Sequence, residues 1–214
     1  MKPKVTIVDY GIGNVLSVGR ALAHCGADVA LSNDPDLIRH ADRLVLPGVG
    51  AFANCMGKLK SRGLPEPIQE FVRSGRPFLG ICVGMQILFD ESEEFGKHEG
   101  LGLLPGKVVK IPSSGVDGKV HSIPFIGWSS LSLPAGRNSW KDTILENIQP
   151  RDSAYFLHSF TAQPSGEKYR LADTSYDGCD ISAAVQHENI IGTQFHLEKS
   201  GPVGLKIVSR FLQL

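Results

Sequence analysis

Apolar runs at residues 5–8, 29–31, 44–46 and 78–81 alternate with segments whose apolar residues return at helical spacing, such as 15–23 and 68–72. That alternation predicts βαβ units around a mainly parallel sheet flanked by helices. From about Lys107 to Gln194 the pattern turns strand-like, with pieces at 108–111, 154–157, 170–174, 183–186 and 190–195, so antiparallel pairing is expected in the C-terminal half. After Gly201-Pro202, the residues Val203, Ile207, Val208 and Phe211 fall on one stripe and predict a closing amphipathic helix over 203–214. The Gly/Pro/Ser clusters at 112–118 and 134–139 are too short for linkers and read as surface loops. With no repeat, low-complexity tract or internal boundary, the reading is a single α/β domain over residues 1–214.

Charge narrows the partners. Twenty-two basic and 22 acidic residues cancel without long blocks of either sign, which argues against nucleic acid or an anionic membrane surface and for a small molecule or a protein. Val5-Thr6-Ile7-Val8 is broken by Asp9 and Gly11, too early for a signal segment, and no run of about 18 apolar residues occurs. A cytoplasmic protein is expected. Cys25, Cys55, Cys82 and Cys179 show neither Cys-x-x-Cys spacing nor companion histidines at zinc-finger distances, so neither disulfides nor a metal site is expected, and three of the four are read as incidental.

The fourth, Cys82, lies in Gly80-Ile81-Cys82-Val83-Gly84, preceded by the apolar Pro77-Phe78-Leu79 and followed by Met85-Gln86-Ile87-Leu88-Phe89 at helical spacing. This predicts a strand-to-helix turn of the nucleophile-elbow kind, with flanking glycines because side chains there would crowd a strained backbone, and with the sulfur presented outward. A helix N-terminus and a nearby imidazolium favour thiolate. The base is expected to be His196 and its orienter Glu198, two residues on in Phe195-His196-Leu197-Glu198, if that segment stays extended. For Cys82 or His196 alone, a small core hydrophobe or a satisfied histidine is the competing reading; the agreement of elbow and His-x-Glu favours catalysis.

Leu44-Val45-Leu46 runs into Pro47-Gly48-Val49-Gly50-Ala51-Phe52, a glycine-rich turn before a helix. Its amide at Val49 or Gly50, with that of Val83, would supply the two oxyanion donors of an acyl transfer; an ordinary βα turn is the alternative. Gly11-Ile12-Gly13-Asn14 is not a dinucleotide site, because Leu16 replaces the third glycine and no acid follows at the expected place, and no cofactor is expected. His158 is left open between a satisfied histidine and a substrate contact. Glu93 and Glu94 read as a solvated acidic pair, and His24, His40, His98, His121 and His187 are given no role.

Asp9-Tyr10-Gly11-Ile12-Gly13-Asn14, the Pro47 to Phe52 turn, Gly80 to Gln86 and Thr193 to Gly201 together resemble the class I, triad-type glutamine amidotransferases, in particular the branch of the imidazole glycerol phosphate synthase glutaminase subunits. The similarity spans nearly the whole chain. It implies hydrolysis of glutamine to glutamate and ammonia through a Cys82 thioester, with Gly50, Gln86, Glu94 and Ser159 holding the amino acid moiety. It further implies a barrel-shaped cyclase subunit as partner in histidine biosynthesis, with Trp128 and Lys199 at the interface, and a glutaminase that is slow until the partner's ligand binds. The two glycines flanking Val49 suggest that the Val49-Gly50 peptide reorients on activation. The chain departs from the branch at Leu197 (usually Pro), Val83 (usually Leu), Phe125 (commonly His) and Ser129 (commonly Asn). The last two lie on the expected docking segment and keep a second acceptor in view, a related synthase making an amino- or amidino-sugar for a surface polysaccharide.

Overall fold

The runs at 44–48 and 78–82 are buried at every residue because both faces of a central parallel sheet are covered by helices, while the run at 28–32, on the sheet edge, is largely exposed. A computed structural model describes all 214 residues. Its N-terminal part reads β1 (Lys4–Val8), α1 (Val15–His24), β2 (Asp28–Ser32), α2 (Pro35–Arg39), β3 (Leu44–Gly48), α3 (Phe52–Ser61), α4 (Pro65–Arg73), β4 (Phe78–Cys82) and the four-residue α5 (Val83–Gln86). Then come β5 (Phe89–Ser92), β6 (His98–Glu99), β7 (Leu104–Lys110), β8 (Phe125–Ser130), β9 (Ser153–His158), β10 (Phe160–Pro164), β11 (Arg170–Tyr176), β12 (Cys179–His187), β13 (Ile190–Thr193) and α6 (Gly201–Phe211).

Seven strands form the main sheet in the order β11-β12-β13-β4-β3-β1-β2. The five from β13 to β2 are parallel, and β11 and β12 are added antiparallel. The expected mixture of parallel and antiparallel pairing is therefore present. A four-stranded sheet, β10-β7-β5-β6, and the β8-β9 ribbon lie beside it. One cluster of 56 buried hydrophobic residues links elements from both halves of the chain. In α6 the stripe is Gly204, Ile207, Val208 and Phe211; each large side chain contributes about 1.5–3 kcal/mol by leaving water.

Local chemistry explains the helix ends. Asp34 caps α2 by accepting from the Asp36 and Leu37 amides, with Pro35 at the first position. Pro65 and Pro202 likewise open α4 and α6. One expectation fails: the helical pattern over residues 85–89 does not continue the elbow helix, since α5 stops at Gln86 and Phe89 opens β5. Ile87, Leu88 and Phe89 are all fully buried, and a short run that is apolar all round carries no periodicity to separate helix from strand.

Four of the segments expected in the site leave the C-terminal ends of strands of the parallel sheet, Asn14 after β1, Val49 and Gly50 after β3, Cys82 at the end of β4 and His196 after β13, while Glu94 follows β5 and Ser159 joins β9 to β10. That edge is where open α/β sheets gather ligands.

Candidate active site

Cys82 sits at φ 57°, ψ −116°, a region that costs a non-glycine residue on the order of 1–3 kcal/mol and needs its surroundings to enforce it. Close backbone packing does so. A Cβ on Gly84 would lie 1.9 Å from the Leu46 carbonyl oxygen, one on Gly80 2.5 Å from the Gly84 carbonyl oxygen, and one on Gly48 2.5 Å from the Gly84 nitrogen. The elbow is thus wedged between β3 and β4 by three glycines. Contrary to the expectation of an outward sulfur, Cys82 is buried; it forms part of the wall of a cavity of about 480 Å³.

His196 and Glu198 reach the same place along a different route from the extended one expected. The chain is extended at His196, then enters a 3-10 turn at Leu197–Lys199, and His196 Nδ1 still lies 2.9 Å from Glu198 Oε1. Leu197, in place of the branch's proline, is buried in the core, so the turn is fixed by packing. Ser200, unmarked by the sequence reading, adds to this. Its hydroxyl donates to the His196 carbonyl at 2.6 Å and accepts from the Tyr155 amide, while the His196 amide donates to the Tyr155 carbonyl at 3.0 Å.

Burial opposes charge on the His196 imidazole, but the neighbouring Cys82 sulfur and the bond to Glu198 outweigh that and raise its pKa to about 10. Burial would raise Glu198, yet the His196 bond and charge, with help from Asn14 Nδ2 at 3.3 Å, hold its carboxyl below the ordinary value. With an unfolded value of about 4.3, this lowered group contributes stability that is present above that pH and lost as pH falls through the folded value. Glu198→Gln should therefore lower the melting temperature most near neutrality, the gap to the unsubstituted protein narrowing below about pH 4. A gap that stays constant from neutral to acid pH would contradict the assignment.

The remaining residues divide clearly. Gly50, Gln86, Glu94 and Ser159 all line the cavity, as does Lys199. Gln86 donates to the Phe160 carbonyl and to Gln194, whose own amide lies 3.8 Å from the Cys82 sulfur. Gln194 had no sequence signal beyond its place in the motif. Glu94 is buried, not solvated, and one of its oxygens accepts from the Phe52 amide at 2.6 Å, capping α3; Glu93 does meet solvent and pairs with Lys107. Burial pushes His158 down to about 4. Its Nδ1–H donates to the Phe160 carbonyl at 2.9 Å, while Nε2, buried beside the cavity, has no partner. It is both a satisfied histidine and a free acceptor. Trp128 is 57% exposed, edge-on to Tyr155, over which the Lys199 ammonium also lies. No group of three or more His, Cys, Asp or Glu converges as a metal site would require.

The two expected oxyanion donors are not yet arranged as such. Bonds from the Leu44 amide to Pro77 and from Thr6 to the Arg43 carbonyl set even-numbered residues of β3 facing β4 and odd-numbered ones facing β1. Carried to the pair Gly48↔Cys82, this alternation aims the Gly48 carbonyl at the Val83 amide and turns the Val49 N–H away. The peptide that carries the Val49 N–H is Gly48-Val49, one residue before the Val49-Gly50 peptide.

A sequence profile described as glutamine amidotransferase class-I matches residues 6–213. The chain belongs to this family. Among its relatives, a Legionella pneumophila (strain Lens) protein named imidazole glycerol phosphate synthase subunit HisH 1 is 56% identical, covering 98% of this chain and 99% of its own. A protein of Syntrophotalea carbinolica named imidazole glycerol phosphate synthase subunit HisH is 43% identical, covering 97% and 98%. In fold, the amidotransferase superposes on a structure of PurLQS from Thermotoga maritima with TM-score 0.72 at 19% identity, covering 100% of this chain and 98% of that one. A crystal structure titled glutamine amidotransferase gives 0.71 at 16%, covering 98% and 99%. The expected α/β architecture and family are thus established.

Proposed function

We propose that this amidotransferase is the glutaminase subunit of imidazole glycerol phosphate synthase, hydrolysing glutamine and passing the ammonia to a cyclase subunit in histidine biosynthesis. The observation that carries the reading is that Cys82 and His196 line one cavity, with Glu198 bound behind His196, in an amidotransferase whose relatives along the whole length carry that subunit's name. No relative named above supports the surface-polysaccharide alternative.

The Cys82 thiolate attacks the carboxamide carbon, forming a C–S bond and an oxyanion that the Val83 and reoriented Val49 amides stabilise. His196, held charged by Glu198, gives its proton to the departing nitrogen, so ammonia leaves and a γ-glutamyl thioester remains. Neutral His196 then takes a proton from water, whose oxygen attacks the thioester carbon, releasing glutamate and restoring the thiolate. Gly50, Gln86, Glu94 and Ser159 hold the α-amino and α-carboxylate end, and the free Nε2 of His158 accepts an N–H from the substrate. We place the cyclase over the cavity mouth, against Trp128 and Lys199, in the cytoplasm, the domain acting as one unit over 1–214. A sealed contact matters because ammonia escaping to water is protonated and lost as a nucleophile.

The test is glutamate release by the chain alone, with the cyclase subunit, and with cyclase plus its ribonucleotide ligand. Large stimulation only in the last supports the reading; equal rates in all three would sink it. In the same assay Trp128→Ala should weaken subunit affinity by about 30-fold, the effect of a central aromatic contact worth about 2 kcal/mol, as read by titration of cyclase against rate.

A further inference from the structure

Two buried side chains that do not line the cavity, and that no catalytic role accounts for, bond to the backbone of the oxyanion turn. Tyr10, just past β1, donates from its hydroxyl to the Pro47 carbonyl at 2.8 Å. Cys55, on α3, donates from its thiol to the Val49 carbonyl at 3.4 Å. Both side chains are fully buried. Burial raises both their pKa values, so each keeps the proton it donates.

These two carbonyls stand on either side of the Gly48-Val49 peptide. We infer that Tyr10 and Cys55 are positioning residues that clamp the Pro47 and Val49 carbonyls, so that only the peptide between them turns when the oxyanion site forms. The inference rests on the glutaminase reading above. Turning one peptide by opposite changes at ψ of Gly48 and φ of Val49 leaves its neighbours in place, provided those neighbours are held. The far neighbour needs holding. Gly50 is at φ 83°, and a Cβ there would meet nothing within 4 Å, so neither sterics nor packing restrains the Val49-Gly50 peptide once its carbonyl is released. Without the clamp the turn spreads over several orientations, and the fraction presenting the Val49 amide to the oxyanion falls. Cys55, read from sequence as incidental, thereby acquires a function through a residue it touches, not through its own reactivity.

The loss belongs to the transition state, where the oxyanion exists, and should appear in kcat. The experiment is glutamine hydrolysis by the chain with cyclase and ligand, for the unsubstituted protein, Cys55→Ala, Cys55→Ser and Tyr10→Phe, with melting curves for each. Cys55→Ala and Tyr10→Phe should lower kcat about tenfold, short of the 10²–10³ lost when an oxyanion donor is removed outright, with KM for glutamine within about twofold. Cys55→Ser, which keeps a donor at the same place, should hold most of the rate. Equal losses in Cys55→Ala and Cys55→Ser, or a rate unchanged in Cys55→Ala, would overturn the clamp. Tyr10→Phe, lacking one oxygen atom, provides the same test should Cys55→Ala not fold. An unsubstituted complex with no glutaminase activity would instead refute the reading beneath, and the clamp with it.

Discussion

Cys82→Ala should abolish glutamine hydrolysis, lowering kcat by about 10⁴-fold or more, as removal of the nucleophile does in other triads, while glutamine still binds. The reasoning is geometric. The sulfur is the only atom removed, and the proposed contacts to the α-amino and α-carboxylate groups come from Gly50, Gln86, Glu94 and Ser159, which line the same cavity. The strained backbone at φ 57° is relieved by neither residue, so the elbow should hold its shape. Isothermal titration of glutamine into Cys82→Ala, beside a glutamate assay, separates binding from turnover. Retained hydrolysis would remove the nucleophile from the mechanism.

Gly84→Ala should be among the most damaging single methyl additions in the molecule. Its Cβ would stand 1.9 Å from the Leu46 carbonyl oxygen, and both atoms belong to backbone, so no side chain can swing aside. Either β3 or the elbow must move, at a cost of about 3 kcal/mol or more, which for a chain of this length lowers the melting temperature by about 6–12 °C. Glutaminase activity should fall too, since a shift at Gly84 displaces Cys82 and the Val83 amide together. Gly57→Ala in the middle of α3 is the natural control: a Cβ there meets nothing within 4 Å, and the change should stabilise by about 0.5–1 kcal/mol. Similar melting temperatures for the two variants would contradict the wedge.

Much of this was legible in the sequence, for identifiable reasons. The parallel strands announced themselves because burial on both faces writes uninterrupted apolar runs, and α1, α4 and α6 because one buried face writes a 3.6-residue period. The triad was legible because its local signals sit beside residues of fixed conformational meaning, the glycines around Cys82 above all. Residues 85–89 were misread because burial all round erases periodicity. Glu94 was misread because charge normally marks solvent, and nothing local reveals that a helix 42 residues away leaves an amide for it. Tyr10, Cys55 and Ser200 were invisible as site residues for the same reason, since their partners are backbone atoms brought near only by the fold, and Gln194 because the Gln86 and Cys82 side chains it meets lie more than 100 residues away in sequence.

The β8-β9 ribbon carries Trp128, the proposed docking residue, on one strand and, on the other, the Tyr155 amide and carbonyl that hold the His196 segment and the Leu157 carbonyl, 4.0 Å from the Cys82 sulfur. Each of those holds is made by main chain, indifferent to which side chains the ribbon wears. Side chains on the exposed face of β8, Ile126 and Trp128, can therefore be rewritten one at a time without touching the chemistry underneath, whereas Phe125, on the opposite face, is buried against Phe156 and His158; that exposed face is the natural place for lineages, or engineers, to pair an old ammonia source with a new recipient.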